Sequence, residues 1–137
     1  MTPYPTRSTA LDHAAHRSGL PSPLDQKILW DLEQRFWTGD TESVRATMAN
    51  NAIMIVPYPP GILEGDTIWH GAKRRGGWQS IIMAERRATE CGDVVILSYR
   101  ATAEKPDQPL YRVLCASTYL SDAGGWLRLS HQQTLMA

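Results

Sequence analysis

The stretch VVILSYRATAEKPDQPLYRVLCASTYLSDAGGWLRLSHQQT, residues 94–134, decides the fold. It holds three extended runs: Val94 to Ala103, Leu110 to Leu120 and Trp126 to Thr134. Each is rich in branched and aromatic residues and follows a period of two. A loop at Pro106 to Pro109 and a hairpin turn at Asp122 to Gly125 join them. Long strands joined by short turns form an antiparallel meander.

Successive strand residues point to opposite faces. The odd positions are Val95, Leu97, Tyr99 and Ala101, then Tyr111, Val113, Cys115, Ser117 and Tyr119, then Leu127, Leu129, His131 and Gln133. This face is apolar with a few polar tips, and it suits packing against a helix around a cavity. The even positions include Ile96, Leu114, Ala116, Leu120 and Trp126 beside Arg100, Arg112 and Arg128. A solvated sheet face is normally polar. This one is half apolar, which predicts a partner, a second copy of the chain.

Upstream, Gly92-Asp93 turns back into a long strand from Trp78 to Glu90, whose alternation slips after Met83 and predicts a bulge there. Ala52 to Val56 reads as a strand, broken by Pro57-Tyr58-Pro59-Pro60-Gly61, and Asp66 opens a short helix to about Lys73. The first helix has a marked start: Ser22 as cap, Pro23 in the first turn and Asp25 after it. Leu24, Ile28, Leu29, Leu32 and Phe36 form its expected core stripe, and Gly39 ends it. Asp40 caps a second helix, with Val44 and Met48 on one side and Asn50-Asn51 as the stop. Residues 1–21, with Pro3, Pro5 and Pro21, read as an N-terminal arm; a short helix is expected at Thr9 to Arg17. The domain proper is 22–137. Helices before a strand meander make an α+β protein.

The bulk numbers narrow the function. Formal net charge is zero over 137 residues, and the cluster Lys73-Arg74-Arg75 is too short for a nucleic-acid footprint. No apolar run of about 18 residues exists to span a membrane. Arg7, Asp12, His13, His16 and Arg17 interrupt the start of the chain, so no secretory signal is read, and a cytoplasmic chain with free Cys91 and Cys115 is expected. No phosphate loop, cofactor motif or metal-ligand spacing occurs, so no cofactor and no metal are expected.

The order of elements resembles the NTF2-like superfamily, and within it the SnoaL-like proteins and small relatives of the DUF4440 type. The residues that carry the resemblance run through most of 24–134: Phe36-Trp37-Thr38-Gly39-Asp40, Met54-Ile55-Val56-Pro57, Gly61-Ile62-Leu63, the Trp78 strand, Leu97 to Ala103, Ser117 to Leu120, and the ending Gly125-Trp126 to His131-Gln132-Gln133-Thr134. The resemblance implies a cystatin-like conical barrel, helices packed on a curved antiparallel sheet, and a homodimer. The superfamily includes isomerases, cyclases and dehydratases together with non-catalytic binding and assembly modules.

Enzymes of that kind place an acid inside the cone, where burial raises its pKa and lets it pass a proton. Here Asp93, Glu104, Asp107 and Asp122 all read as turn residues, and of the other acids Glu64 and Glu85 are the two within reach of a cavity. Against that stands the plainer expectation of exposed residues. His131 is the candidate catalytic residue, since it follows Leu127 and Leu129 on the apolar face. Against that stands the plainer expectation of a core histidine bonded to Tyr99, Tyr119 or Ser117. The expected pocket walls are Trp30, Tyr58, Trp78, Tyr99, Tyr119 and His131, with Trp69 and His70 near the entrance. Ordinary core packing accounts for these aromatics too. Three functions stay open: binding a small apolar or aromatic ligand, lyase or isomerase chemistry through His131 with a pocket tyrosine, and an assembly or accessory dimer.

Overall fold

The computed structural model describes residues 19–71 and 77–136. The expected arm helix at Thr9 to Arg17, with His13 and His16, and the Lys73-Arg74-Arg75 cluster lie outside them. Helix α1 spans Pro23–Thr38 and helix α2 Thr41–Ala46. Strands β1 (Met48–Ile55) and β2 (Ile62–Glu64) precede a five-residue 3-10 turn, Gly65–Trp69. Then come β3 (Ser80–Cys91), β4 (Val94–Glu104), β5 (Tyr111–Asp122) and β6 (Gly125–Leu135). The six strands form one sheet in the order β2-β1-β6-β5-β4-β3, with β1 parallel to β6 and every other neighbour antiparallel. The two edges, β2 and β3, are not paired to each other, so the cone is an open curved sheet and not a closed barrel.

Helix α1 begins as its residues dictate. The Ser22 hydroxyl accepts from the Asp25 N–H at 3.1 Å, and Pro23 fills the first turn, where no N–H is needed. The buried face differs from the expected stripe. Leu29, Trp30, Glu33 and Trp37 face the sheet, while Leu24 is 68% exposed and Ile28 lies at the surface. Residues 29, 33 and 37 share one face at four-residue spacing. The wide indoles of Trp30 and Trp37 rotate the helix onto that face.

Helix α2 is shorter than expected and stops at Ala46. The Thr47 carbonyl accepts from the Arg128 N–H at 2.9 Å, which draws the chain into the sheet, so Met48 to Asn50 open β1 instead of closing a helix. The helix expected from Asp66 to about Lys73 is the 3-10 turn, which ends at Trp69: the His70 N–H donates to the Thr67 carbonyl at 3.2 Å, and His70 and Gly71 are already turn. The bulge in β3 is where the alternation slips. Pairing with β4 shifts between Ala84 and Arg87, and Glu85 there has φ of +53°.

A second bulge was not read in the sequence. Thr118 pairs with Ser130 but Tyr119 pairs with Arg128, so Leu129 is an extra residue in β6. The alternation breaks there. Arg128, expected on the outer face, is buried on the inner one with His131. Trp126, also expected outside, packs against the inner core.

The main core lies between α1 and β3–β5, centred on Leu29, Trp37, Val95, Leu97, Tyr99 and Val113. A second cluster of Val44, Met54, Val56, Leu63 and Ile68 fills the β1–β2 end. At the start of the described chain, the Glu90 N–H of edge strand β3 donates to the Gly19 carbonyl at 2.8 Å. Leu29→Ala is expected to cost about 2–5 kcal/mol in urea unfolding through the cavity it leaves. Leu24→Ala should stay within about 0.5 kcal/mol. The reverse order would show that α1 presents its other face.

Candidate functional site

Two features sit on the concave side: a buried charged cluster and, above it, an open cavity. Glu33 in α1 is fully buried and lies against three strands. Its Oε1 accepts from the Tyr119 hydroxyl at 2.6 Å and from Arg128 Nη2 at 3.2 Å. Its Oε2 accepts from the Ser117 hydroxyl at 2.6 Å and from the Tyr99 hydroxyl. Tyr99 in turn accepts from the Trp37 indole N–H at 2.9 Å, and Tyr119 from Arg128. The guanidinium lies over the rings of Phe36, at 4.4 Å, and Tyr119, at 4.9 Å.

Burial alone would push the Glu33 carboxyl up. The Arg128 charge, the His131 ring 3.4 Å away and the Ser117 hydrogen bond outweigh it and hold the group well below the ordinary carboxylate range. The same burial, aided by the Glu33 charge, drives the Tyr99 and Tyr119 hydroxyls far up, so both stay protonated. Burial pushes His131 down, against the pull of Glu33, and keeps its ring neutral.

The histidine's partners settle which ring nitrogen carries the proton. Nδ1 lies 2.6 Å from Ser117 Oγ, whose own proton goes to Glu33. So Nδ1–H donates to Ser117, and Nε2 accepts from the amide nitrogen of Gln133 at 3.1 Å. The Gln133 carbonyl then accepts from the Tyr111 hydroxyl at 2.7 Å.

Tyr111 and Gln133 belong to the cavity. It has a volume of about 670 Å³, within the usual range for small-molecule pockets. Phe36, Trp37, Val44, Met54, Val56, Ile68, Trp69 and Trp78 make most of its wall. Trp78 and Tyr111 stack at 5.1 Å with planes 13° apart, and Trp37 packs edge-on to Trp78 at 6.1 Å. Polar atoms come from Asp40, Thr41, Lys105 and Gln108, with Gln133 alongside Tyr111. Asp40 spends its carboxylate capping α2, accepting from the Ser43 N–H at 2.7 Å. Lys105 Nζ lies over the Trp78 ring at 4.3 Å.

Of the expected walls, Trp69 and Trp78 line the cavity. Trp30, Tyr99, Tyr119 and His131 lie one layer deeper, in the core and the Glu33 cluster, because Phe36, Trp37 and Gln133 stand between them and the opening. Tyr58 is 88% exposed, and of its loop Pro57, Pro59 and Pro60 face the cavity in its place. His70 is exposed just after the 3-10 turn. Glu64 and Glu85 do not reach the cavity: both side chains are exposed, and Glu85 pairs with Arg100 at 2.6 Å. Sequence reading missed Glu33 and Arg128. Glu33 had a signal, an acid midway between Leu29 and Trp37 at four-residue spacing. Arg128 had none, since the bulge at Leu129 leaves no mark. No cluster of His, Cys, Asp and Glu able to hold a metal occurs among the described residues.

No family profile and no curated protein sequence matches the chain. Solved structures do. An NTF2-like protein from Cytophaga hutchinsonii superposes with TM-score 0.66 at 13% identity, over 81% of this chain and 98% of its own. The chain has the NTF2-like, or cystatin-like, fold. The fold is shared with a candidate ketosteroid isomerase from Parabacteroides distasonis, at TM-score 0.68 and 12% identity over 79% and 85% of the two chains. It is shared too with the S. rosetta CaMKII hub, at TM-score 0.69 and 14% identity over 86% and 98%. Within one fold, then, similar chains carry unlike descriptions, and the site must decide.

The cluster sets how the NTF2-like domain responds to acid. Glu33 titrates below its ordinary value of 4.5 when folded, so the stability it contributes is present above that pH and is lost as pH falls toward the folded value. His131 is neutral when folded but takes a proton below about 6.5 when unfolded, so it also favours the unfolded chain as pH drops. The urea midpoint should therefore start to fall near pH 6.5 and fall more steeply below about 4.5. His131→Gln should remove the first phase only. A midpoint that rises between these two values would contradict a neutral, buried His131.

Proposed function

We propose that this chain binds a small, flat, apolar or aromatic molecule in the cavity between the end of α1 and the β1, β5 and β6 strands. The observation that carries it is the wall itself: Trp37, Trp69, Trp78 and Tyr111 around about 670 Å³ of open space. Aromatic faces at stacking distance suit a planar guest. The Gly125 to Thr134 ending supports kinship with the SnoaL-like and DUF4440-type proteins. Unpaired Cys91 and Cys115 support a reducing compartment. Among the described residues, no helix is long and apolar enough to cross a membrane.

The catalytic alternative through His131 has less behind it. Both ring nitrogens are engaged, the ring is 1% exposed, and it does not line the cavity. A general base must come within hydrogen-bond reach of the proton it takes. The cavity's one carboxylate among the described residues, Asp40, is a helix cap. Bicyclic and tricyclic aromatics should raise the melting temperature. At a hundred times its Kd, a ligand adds about 2.7 kcal/mol. Thr41→Trp, at the exposed rim, should abolish the rise by filling the mouth. A panel of such aromatics that shifts nothing would remove the reading.

A second reading has its own observation. Ile53, Ile55, Ile62, Ile96 and Leu114 stand exposed on the outer sheet face. Three structural neighbours are hub or association domains of CaMKII, which supports self-association here. We propose a homodimer through this face, burying on the order of 1,000 Å² or more. Arg128 and Trp126 take no part, since they face inward. Leu114→Glu should give a monomer in sedimentation, or an insoluble chain. A native protein that sediments as a monomer at micromolar concentration would refute the dimer.

A further inference from the structure

The polar end of the cavity has a direction, and the buried carboxylate sets it. Ionised Glu33 accepts only, so the Ser117 proton must point to it. Ser117 Oγ can then take the proton of His131 Nδ1, at 2.6 Å. Nε2 is left as an acceptor, which fixes the Gln133 amide nitrogen toward the histidine, at 3.1 Å. The Gln133 carbonyl is thereby turned toward Tyr111, whose hydroxyl proton it takes at 2.7 Å. Reversing any one link would set donor against donor or acceptor against acceptor.

The count at the cavity floor follows. The Tyr111 proton and one Gln133 N–H are used. What remains for a ligand is a lone pair on the Gln133 carbonyl, the lone pairs of the Tyr111 oxygen, and one N–H. The floor is therefore richer in acceptors than in donors. We propose that Gln133, oriented by the Glu33–Ser117–His131 chain, makes the cavity select flat aromatic ligands that carry a hydroxyl or N–H donor, over carboxylates and over ethers of the same shape. This deepens the ligand-binding reading and rests on it. A hydroxyl gives a proton to one of the oxygens and takes the spare N–H. At the floor a carboxylate meets two oxygens and a single donor, while Lys105, the cation of the wall among the described residues, lies over the Trp78 ring. An ether leaves the oxygens unpaired, and a buried polar group left without a partner is costly.

The test compares 2-naphthol, 2-methoxynaphthalene and 2-naphthoate, titrated into 15N-labelled protein and followed at the amide signals of Trp78, Tyr111 and Gln133. The naphthol should bind at least about tenfold more tightly than either of the others, a difference of about 1.4 kcal/mol. In Gln133→Leu, whose fold the same spectrum checks, the naphthol and the ether should bind alike, and the ether no more weakly than to the wild type. Equal or tighter wild-type binding of the ether or the carboxylate would overturn the selection. So would a Gln133→Leu protein that still prefers the naphthol. The wild-type comparison stands alone should the variant not fold. If none of the three moves these signals, the cavity reading itself fails, and this inference with it; if the ether binds without a preference for the naphthol, only this inference fails.

Discussion

An ionised carboxylate with no contact to water is the constraint on which this domain is built. An isolated buried charge is prohibitively expensive, and it persists only when paired and fully hydrogen-bonded. Glu33 meets that requirement with groups from three strands: Tyr99 from β4, Ser117 and Tyr119 from β5, and Arg128 from β6. The helix therefore cannot slide or rotate on the sheet without stranding the charge. Apolar packing would tolerate several registers of α1; this cluster tolerates one. Two Arg128 nitrogens, Nε and Nη1, have no hydrogen-bond partner among the described residues, and the ring faces of Phe36 and Tyr119 stand against the guanidinium. Part of the cation's compensation is thus a weaker attraction to π electrons.

The bulge at Leu129 follows from the same demand. Arg128 and His131 are three apart in sequence, and a regular strand would send one of them to each face. Both serve the Glu33 cluster, one by its charge and one through Ser117. One extra residue between them reconciles the two. The cost is a lost rung of the β5–β6 ladder. The gain is a second inward-facing polar group beside the first. The outer face changes too, since it loses the arginine that would have interrupted its apolar surface.

The architecture was legible because it depends on local signals repeated many times. Alternation from Val94 to Thr134, the Ser22-Pro23 start and the Gly92-Asp93 turn each leave their mark within a few residues. The β3 bulge was legible for the same reason. What was not legible depends on contacts far apart in sequence. Glu33 and Tyr119 are separated by 86 residues, and nothing in either neighbourhood names the other. Acids were sought on the strands, where Asp93, Glu104, Asp107 and Asp122 are turn residues, and in Glu64 and Glu85. The acid came from the helix. His131 was placed on the inner face by alternation, and it does face inward, although the alternation is broken two residues before it. Its depth could not be read at all. Whether an inward side chain reaches a cavity depends on what stands in front of it, here Phe36 and Gln133.

That depth changes the part a buried acid–histidine pair can play. Exposed to a ligand, such a pair moves protons. Sealed, it cannot, because His131 would have to carry a charge into a site where burial already disfavours it. What it can still transmit is orientation. Each hydrogen bond outward from Glu33 has one permitted direction, and the last of them ends on an amide at the floor of the aromatic cavity. The group that holds the helix to the sheet is thus linked, by three residues, to the atoms a ligand would meet. In this chain the fold's polar core and the polar floor of the cavity are one network. A substitution in the core that leaves the domain standing can therefore turn the polar groups at the cavity floor, with no lining residue changed.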